Sequence, residues 1–381
     1  MYSRRVLNIR PSATLAFSIR AKVLRDQGRS IINFAVGEPD FDTPKHIRDA
    51  AAEALSHGRT HYTDPRGIIE LREAVAEKCK KDNGISCSTE DVLVTPTKHA
   101  IFMSIMALIN YGEEVLIPSP GWVSYMPATR FARGKGVWYP CLDQKEIVAG
   151  VQERITDKTR LLILNSPSNP TGMVMSKTVL KGLADLAKDH DLWVLSDEIY
   201  EKILFSGKHH SIATLDGMAE RTLTANGFSK AYAMTGWRIG YLVGPHEAIQ
   251  HIDKIQAHTV TCATSFAQYG ALAALNGTKT PMEKMIEEFK GRRDMLYDMI
   301  KKSPYLECRK PEGAFYMFPK YKNDMGSIDL ATHILENAGV AMTPGLAFGP
   351  DGEGHLRISY ATSRKNIKKG MTAIEDALEK L

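Results

Sequence analysis

Three short runs, 161–164, 192–195 and 222–225, are apolar along most of their length and each stops abruptly at a segment rich in Asn, Ser, Asp or Gly. Such runs have the length of strands covered on both faces. A helical pattern over 176–189 lies between the first two. Strand, helix and strand in alternation predict an α/β fold built on a parallel sheet. In sheets of this kind ligands bind beyond the carboxyl ends of the strands. Four chemically capable residues stand there: Asn169 in Asn165-Ser-Pro-Ser-Asn-Pro-Thr-Gly172, Asp197 and Tyr200 in Ser196-Asp-Glu-Ile-Tyr200, and Lys230 just after Asn226-Gly227.

The remaining pattern fits around that sheet. Runs at 92–95 and 115–118 read as further strands, and a helix follows Pro96 through Leu108. Helices are also expected over 12–30, with Ser12 as cap, Leu15, Ile19 and Val23 at helical spacing and Gly28 as stop, and over 44–57 and 68–83. A long amphipathic helix at 281–302 reads as the bridge into a smaller domain, which ends in an α+β segment with a strand over 354–360. With 381 residues the chain exceeds one ordinary core. The expected division is an N-terminal arm and part of a small domain (1–44), a large domain (45–280) and the rest of the small domain (281–381).

Composition narrows the partners. The 49 basic and 44 acidic residues give a net charge of +5 without a long basic run, so no nucleic-acid footprint is expected. Five scattered cysteines form no Cys-x-x-Cys pair, which suits a reducing compartment. The N-terminus has no uninterrupted apolar stretch of the signal-peptide kind, and the most apolar window, 100–111, is too short to span a bilayer. A soluble cytoplasmic protein is expected. His209-His210 and Lys188-Asp-His-Asp191 read as solvated faces, and no metal is expected.

Lys230 is the centre of the chemistry. A lysine in water titrates near ~10.4 and is a poor nucleophile, whereas a partly desolvated pocket beside another cation frees the amine for imine formation. Arg238, eight residues on, and the Ser229 hydroxyl are suited to a phosphate. The strand running into Thr97, Lys98 and His99 offers a second anion site at a helix N-terminus, less the N–H donor that Pro96 lacks.

The wording Ser229-Lys-Ala-Tyr-Ala-Met-Thr-Gly-Trp-Arg-Ile-Gly-Tyr241, preceded in order by Asn-x-x-x-Asn-Pro-Thr-Gly and Asp-Glu-x-Tyr, resembles class I aminotransferases, the fold type I pyridoxal-phosphate enzymes. The resemblance runs from about residue 10 to the C-terminus. It implies a mostly parallel seven-stranded sheet flanked by helices, with a smaller α+β domain, and pyridoxal 5′-phosphate bound as an imine of Lys230. Asp197 is then the acid under the ring nitrogen, and Asn169 and Tyr200 are the donors to the ring's phenolic oxygen. Trp122 stacks on the ring, and Thr97, Lys98, His99, Ser229 and Arg238 hold the phosphate. Tyr62 reaches the phosphate of a neighbouring subunit, so a homodimer with shared sites is implied. Gly37, in Gly37-Glu-Pro-Asp-Phe, meets the substrate, and Arg357 holds its α-carboxylate. In the commoner family wording two small residues, often glycines, precede the Lys98 position.

Thr14 and Lys98 match positions at which the class I-beta aspartate aminotransferases read the distal carboxylate, so aspartate with 2-oxoglutarate is the first expectation. Aromatic amino acids, prephenate and alanine stay open as donors. A pyridoxal lyase or synthase could share the same lysine, aspartate and arginine. A regulatory aminotransferase-like module would need a DNA-binding segment, for which there is no room before residue 10.

Overall fold

The structure, a computed structural model, describes residues 2–7, 9 and 13–381, with the side chains at positions 4, 5, 13 and 14 outside that description. Its centre is a seven-stranded sheet in the order Val92–Val94, Gly240–Val243, Thr222–Gly227, Trp193–Asp197, Thr159–Asn165, Glu114–Ser119, Lys135–Pro140. Every pairing is parallel except the two made by Gly240–Val243. The sheet is covered on both sides, which is why its inner strands read as continuous apolar runs. Leu161, Ile163, Leu195 and Leu223 pack on one side against Ala100, Met103 and Ile105 of the helix Thr97–Leu108. Leu162, Leu164 and Val194 pack on the other side against Leu180 and Leu183 of the helix Lys177–Asp189, which is capped by Ser176 accepting from the Val179 N–H. Truncating a fully buried leucine such as Leu162 to Ala costs about 2–5 kcal/mol, transfer and cavity together.

A second core joins the chain's two ends. Phe34 packs with Phe289, Leu296 and Ile300 of the helix Thr280–Lys302 and with Phe315, Met342 and Ile358. Ile32–Asn33 pairs in parallel with Val340–Ala341, and Leu356–Ser359 is the middle strand of a three-stranded sheet. Tyr200 belongs to this core although Asp197, three residues earlier, ends a strand of the large sheet. The turn between them therefore couples the two cores.

Two local expectations are corrected. The helix expected over 12–30 is Ala13–Asp26 among the described residues, with Ser12 outside them. Leu15, Ile19 and Val23 lie on its solvent side, whereas Ala21 and Leu24 pack against Ala35, Leu335 and Ala341. The helix expected over 68–83 is Ile69–Lys78 running into a π-helical turn, Cys79–Asn83, that ends at Gly84 in the left-handed region. Two strands, Lys135–Pro140 and Gly240–Val243, complete the sheet without a clear sequence signal.

Candidate active site

The strands Thr159–Asn165, Trp193–Asp197 and Thr222–Gly227 end level with one another, Asn165 opposite Asp197 and Asp197 opposite Ala225. Three residues past the last of them the half-buried Lys230 donates through Nζ to the Gly37 carbonyl oxygen, 2.7 Å away. Burial pushes the Lys230 amine down to about 8; Glu38 opposes that, while Arg357, Arg238 and Lys98 push the same way. Three other cations thus stand close enough for their charges to act on Lys230.

Asp197 is buried, and burial pushes its carboxyl up to about 6. Two donors hold it against a further rise: the Tyr125 hydroxyl to Oδ2 at 2.7 Å and the Ile199 N–H to Oδ1 at 3.3 Å. Glu198 beside it adds to the rise and Lys230 counters it. Tyr125 is fully buried three residues after Trp122, and nothing in the sequence sets it apart from an ordinary core aromatic.

Arg357 reaches the same pocket from the strand Leu356–Ser359. One terminal nitrogen donates to Asn169 Oδ1 at 3.0 Å, and the other to the Ala35 carbonyl at 2.6 Å and the Thr343 hydroxyl at 3.3 Å. Its Nε is buried without a partner. The guanidinium lies 4.5 Å from the ring centre of Tyr316, whose hydroxyl meets that of Tyr200 at 2.8 Å. Tyr316, like Tyr125, is a second aromatic that sequence pattern alone presents as core.

At the opposite end, Pro96 precedes the helix Thr97–Leu108 and leaves the N–H groups of Thr97 and Lys98 without an intrahelical acceptor. The Thr97 hydroxyl donates to the Asn226 carbonyl at 2.9 Å, tying this helix start to the lysine strand. The His99 N–H is taken by the Pro96 carbonyl and its ring meets the Thr259 hydroxyl at 3.1 Å. Lys98 Nζ sits 4.9 Å from the Trp122 ring centre, and burial together with Arg238 pushes its pKa down. Ser229 is buried, while Arg238 is exposed, has φ +53 and donates to the Thr235 carbonyl. Tyr62 is 83% exposed. The Thr14 side chain lies outside the described residues. His209, expected on a solvated face, instead has its ring against Glu198, Nε2 to Oε2 at 2.9 Å, because the loop after the Asp197 strand folds back on that carboxylate.

This donor set fits a phosphorylated pyridine aldehyde. It offers an amine of lowered basicity, a buried acid, and cations in excess of their acidic partners. The family model for aminotransferases of class I and II matches residues 29–374, and the chain belongs to that family. The aspartate aminotransferase of Pyrococcus abyssi and aromatic-amino-acid aminotransferase 2 of Thermococcus litoralis are each 44% identical to it, over 92% of both chains in each comparison. The Thermus thermophilus aspartate aminotransferase solved with maleate superposes with a TM-score of 0.94 at 40% identity, covering 99% of each chain. Among the described residues no helix is long and apolar enough to cross a membrane.

Proposed function

We propose that this aminotransferase moves the amino group of an L-amino acid, aspartate first, to 2-oxoglutarate, with pyridoxal 5′-phosphate as cofactor. The observation that carries this reading is that Lys98, Arg238 and Arg357 all act on Lys230 by their charge, with Glu38 the one acid among the main influences on it. Such a surplus suits a phosphate and the two carboxylates of a dicarboxylic substrate. Maleate, present in the Thermus structure, is itself a dicarboxylate.

The bound cofactor supplies a conjugated, electron-withdrawing ring that stabilises negative charge at the substrate α-carbon. Asp197 holds a proton at the ring nitrogen. Asn169, whose Oδ1 already accepts from Arg357, keeps its amide hydrogens for the phenolic oxygen, and Tyr200 donates there too. Ser229, Arg238 and the first turn at Thr97, Lys98 and His99 bind the phosphate, and Trp122 covers the ring. Arg357 grips the α-carboxylate by a two-pronged pair that lysine cannot copy. Lys230 is the residue that would hold the cofactor as an imine, and its amine would carry the proton between the substrate α-carbon and the adjoining cofactor carbon that bears the imine. Lys98 and Thr14 read the distal carboxylate. The exposed Tyr62 serves the phosphate of a second copy, so the working form is a homodimer, and five free cysteines suit a cytoplasmic setting. Residues 1–44 supply an N-terminal arm and part of the small domain, 281–381 supply the rest of the small domain, and 45–280 form the large one.

Lys98→Ala is the deciding variant for the donor. The kcat/KM for aspartate falls on the order of 10-fold to 100-fold while that for phenylalanine is unaltered, as expected for one lost carboxylate contact. Equal losses for both donors, or none for aspartate, remove the acidic-substrate reading. Borohydride reduction followed by peptide mapping tests the cofactor itself and fixes it to Lys230.

A further inference from the structure

Two interleaved pairs of residues divide the labour where the Asp197 strand ends. Asp197 and Tyr200 serve the pocket. Glu198 and Glu201 are both buried, at 1% and 7% exposure, and point to other partners. One Glu201 oxygen accepts from the Lys78 ammonium and the other from the Asn83 amide, while Lys78 also donates to Asn83 Oδ1 at 2.7 Å. At the rim Lys202 pairs with Asp82 at 2.6 Å. Lys78 ends a helix, and Asp82 and Asn83 belong to the π-helical turn Cys79–Asn83.

We infer that the Lys78–Glu201 pair and the π-helical turn form a positioning clamp that sets where Tyr200 and Asp197 stand; this deepens the proposed cofactor reading and rests on it. Removing two charges from water costs several kcal/mol per ion, so a buried pair is often no more stable than an apolar substitute. Stability is a poor reason for this one. π-turns are rare and occur frequently at functional sites. This one turns Asn83 back to share Glu201 with Lys78, so the carboxylate is fixed at both oxygens. The backbone transmits that constraint, since the Glu201 N–H donates to the Glu198 carbonyl at 2.9 Å and the Ile203 N–H to the Tyr200 carbonyl at 2.8 Å. The upstream end is held by Glu198, which accepts from the Ser196 and Ser211 hydroxyls at 3.0 and 2.6 Å and from His209. A small cavity lined by Lys78, Glu201, Asn226, Phe228 and Tyr241 places the clamp directly against the end of the lysine strand as well. Glu198, Glu201 and His209 bring ligand atoms within 4.8 Å of one another. Lys78 already supplies a countercharge to Glu201, and Glu198 raises the affinity of His209 for its proton despite the opposing burial, so this cluster is a neutralised anchor.

Lys78→Met alone strands a buried carboxylate and lowers both Tm and activity, so the informative protein is Lys78→Met/Glu201→Leu. An apolar pair restores Tm to within a few degrees of wild type. A clamp predicts that kcat nevertheless stays about tenfold low, the magnitude of a small misplacement of reacting groups. The KM for the amino donor is little changed, because Arg357 is untouched. Independently of turnover, pyridoxal phosphate leaves the loaded double variant several times faster on dialysis, read by its visible absorbance. A double variant with wild-type Tm, kcat and cofactor retention overturns the clamp. Should that variant not fold, Asn83→Ala/Lys202→Ala, which leaves the buried ion pair in place, decides: wild-type kcat and retention overturn the proposal, and loss of both at unchanged Tm supports it. Wild-type protein that takes up no pyridoxal phosphate at Lys230 defeats the underlying reading instead, whatever the clamp variants do.

Discussion

The Tyr125 hydroxyl donates to Asp197 Oδ2 over 2.7 Å, between two buried side chains 72 residues apart in the chain. Burial pushes the Asp197 carboxyl up to about 6, and this bond is the largest of the influences holding it down. A hydrogen bond to a charged group contributes about 1.5–3 kcal/mol. Tyr125→Phe is therefore expected to raise the carboxyl further, weaken its hold on a protonated ring nitrogen and lower kcat about tenfold. The acid limb of the kcat profile moves to higher pH in the same variant. A Phe variant with an unmoved profile would leave Tyr125 as packing alone.

Lys230 carries an opposite and separable signature in the protein without cofactor. Its amine is pushed from 10.5 down to about 8, so in that window the unfolded chain binds more protons than the folded one. Below pH 8 the penalty on the folded state is complete, and as pH rises from 8 to 10.5 stability is regained. Because the side chain is partly exposed, the penalty is taken as on the order of 2 kcal/mol rather than the full value of the shift. Lys230→Met should accordingly raise the Tm of the cofactor-free protein by a few degrees at pH 7, with the gain shrinking toward pH 10.5. A gain that stays constant or grows with pH contradicts the depressed amine.

Arg357→Lys tests geometry at constant charge. The guanidinium already bonds Asn169, Ala35 and Thr343, and its Nε is unpartnered. Lysine replaces this fork by a point charge and leaves the Asn169 and Ala35 acceptors short of donors. The expected result is a KM for aspartate raised on the order of 100-fold, with cofactor binding by the protein alone nearly unaltered. Equal loss of cofactor and substrate binding points instead to a collapse of the pocket.

The parts of the fold that sequence reveals are those whose environment is uniform. Thr159–Asn165 and Trp193–Asp197 lie inside the sheet with helices on both faces, so their middle stretches, 161–164 and 193–195, are apolar without interruption. Lys135–Pro140 is an edge strand with only one of its residues fully buried, so it lacks that uniformity, whereas Gly240–Val243, though buried throughout, is only four residues long and antiparallel to its neighbours. The site divides along the same line. Asn169, Asp197 and Lys230 are legible because polar groups at strand ends have few structural reasons to be there. Tyr125 and Tyr316 are not, since a buried tyrosine reads as core until its hydroxyl is seen to meet Asp197 or Tyr200. The pairing of His209 is hidden for a like reason, since its partner, Glu198, is brought to it by a loop closure that no local pattern announces.

Gly37 links three of these residues through space it leaves empty. Its carbonyl accepts from Lys230, and a Cβ on it would stand 2.7 Å from the Tyr316 hydroxyl. Tyr316 cannot give way easily, being 1% exposed, with Phe315 4.7 Å and the Arg357 guanidinium 4.5 Å from its ring centre. Gly37→Ala must either displace that hydroxyl from Tyr200 or shift the carbonyl that orients Lys230. Overpacking of this kind costs about 1–3 kcal/mol, and kcat/KM is expected to fall about tenfold with it. Adding Tyr316→Phe removes the atom that clashes, so Gly37→Ala/Tyr316→Phe should recover Tm while activity stays low for want of the partner of Tyr200. If Gly37→Ala alone keeps wild-type Tm and kcat/KM, the approach of Gly37 to Tyr316 is looser than 2.7 Å implies, and the glycine owes its place to something other than this contact.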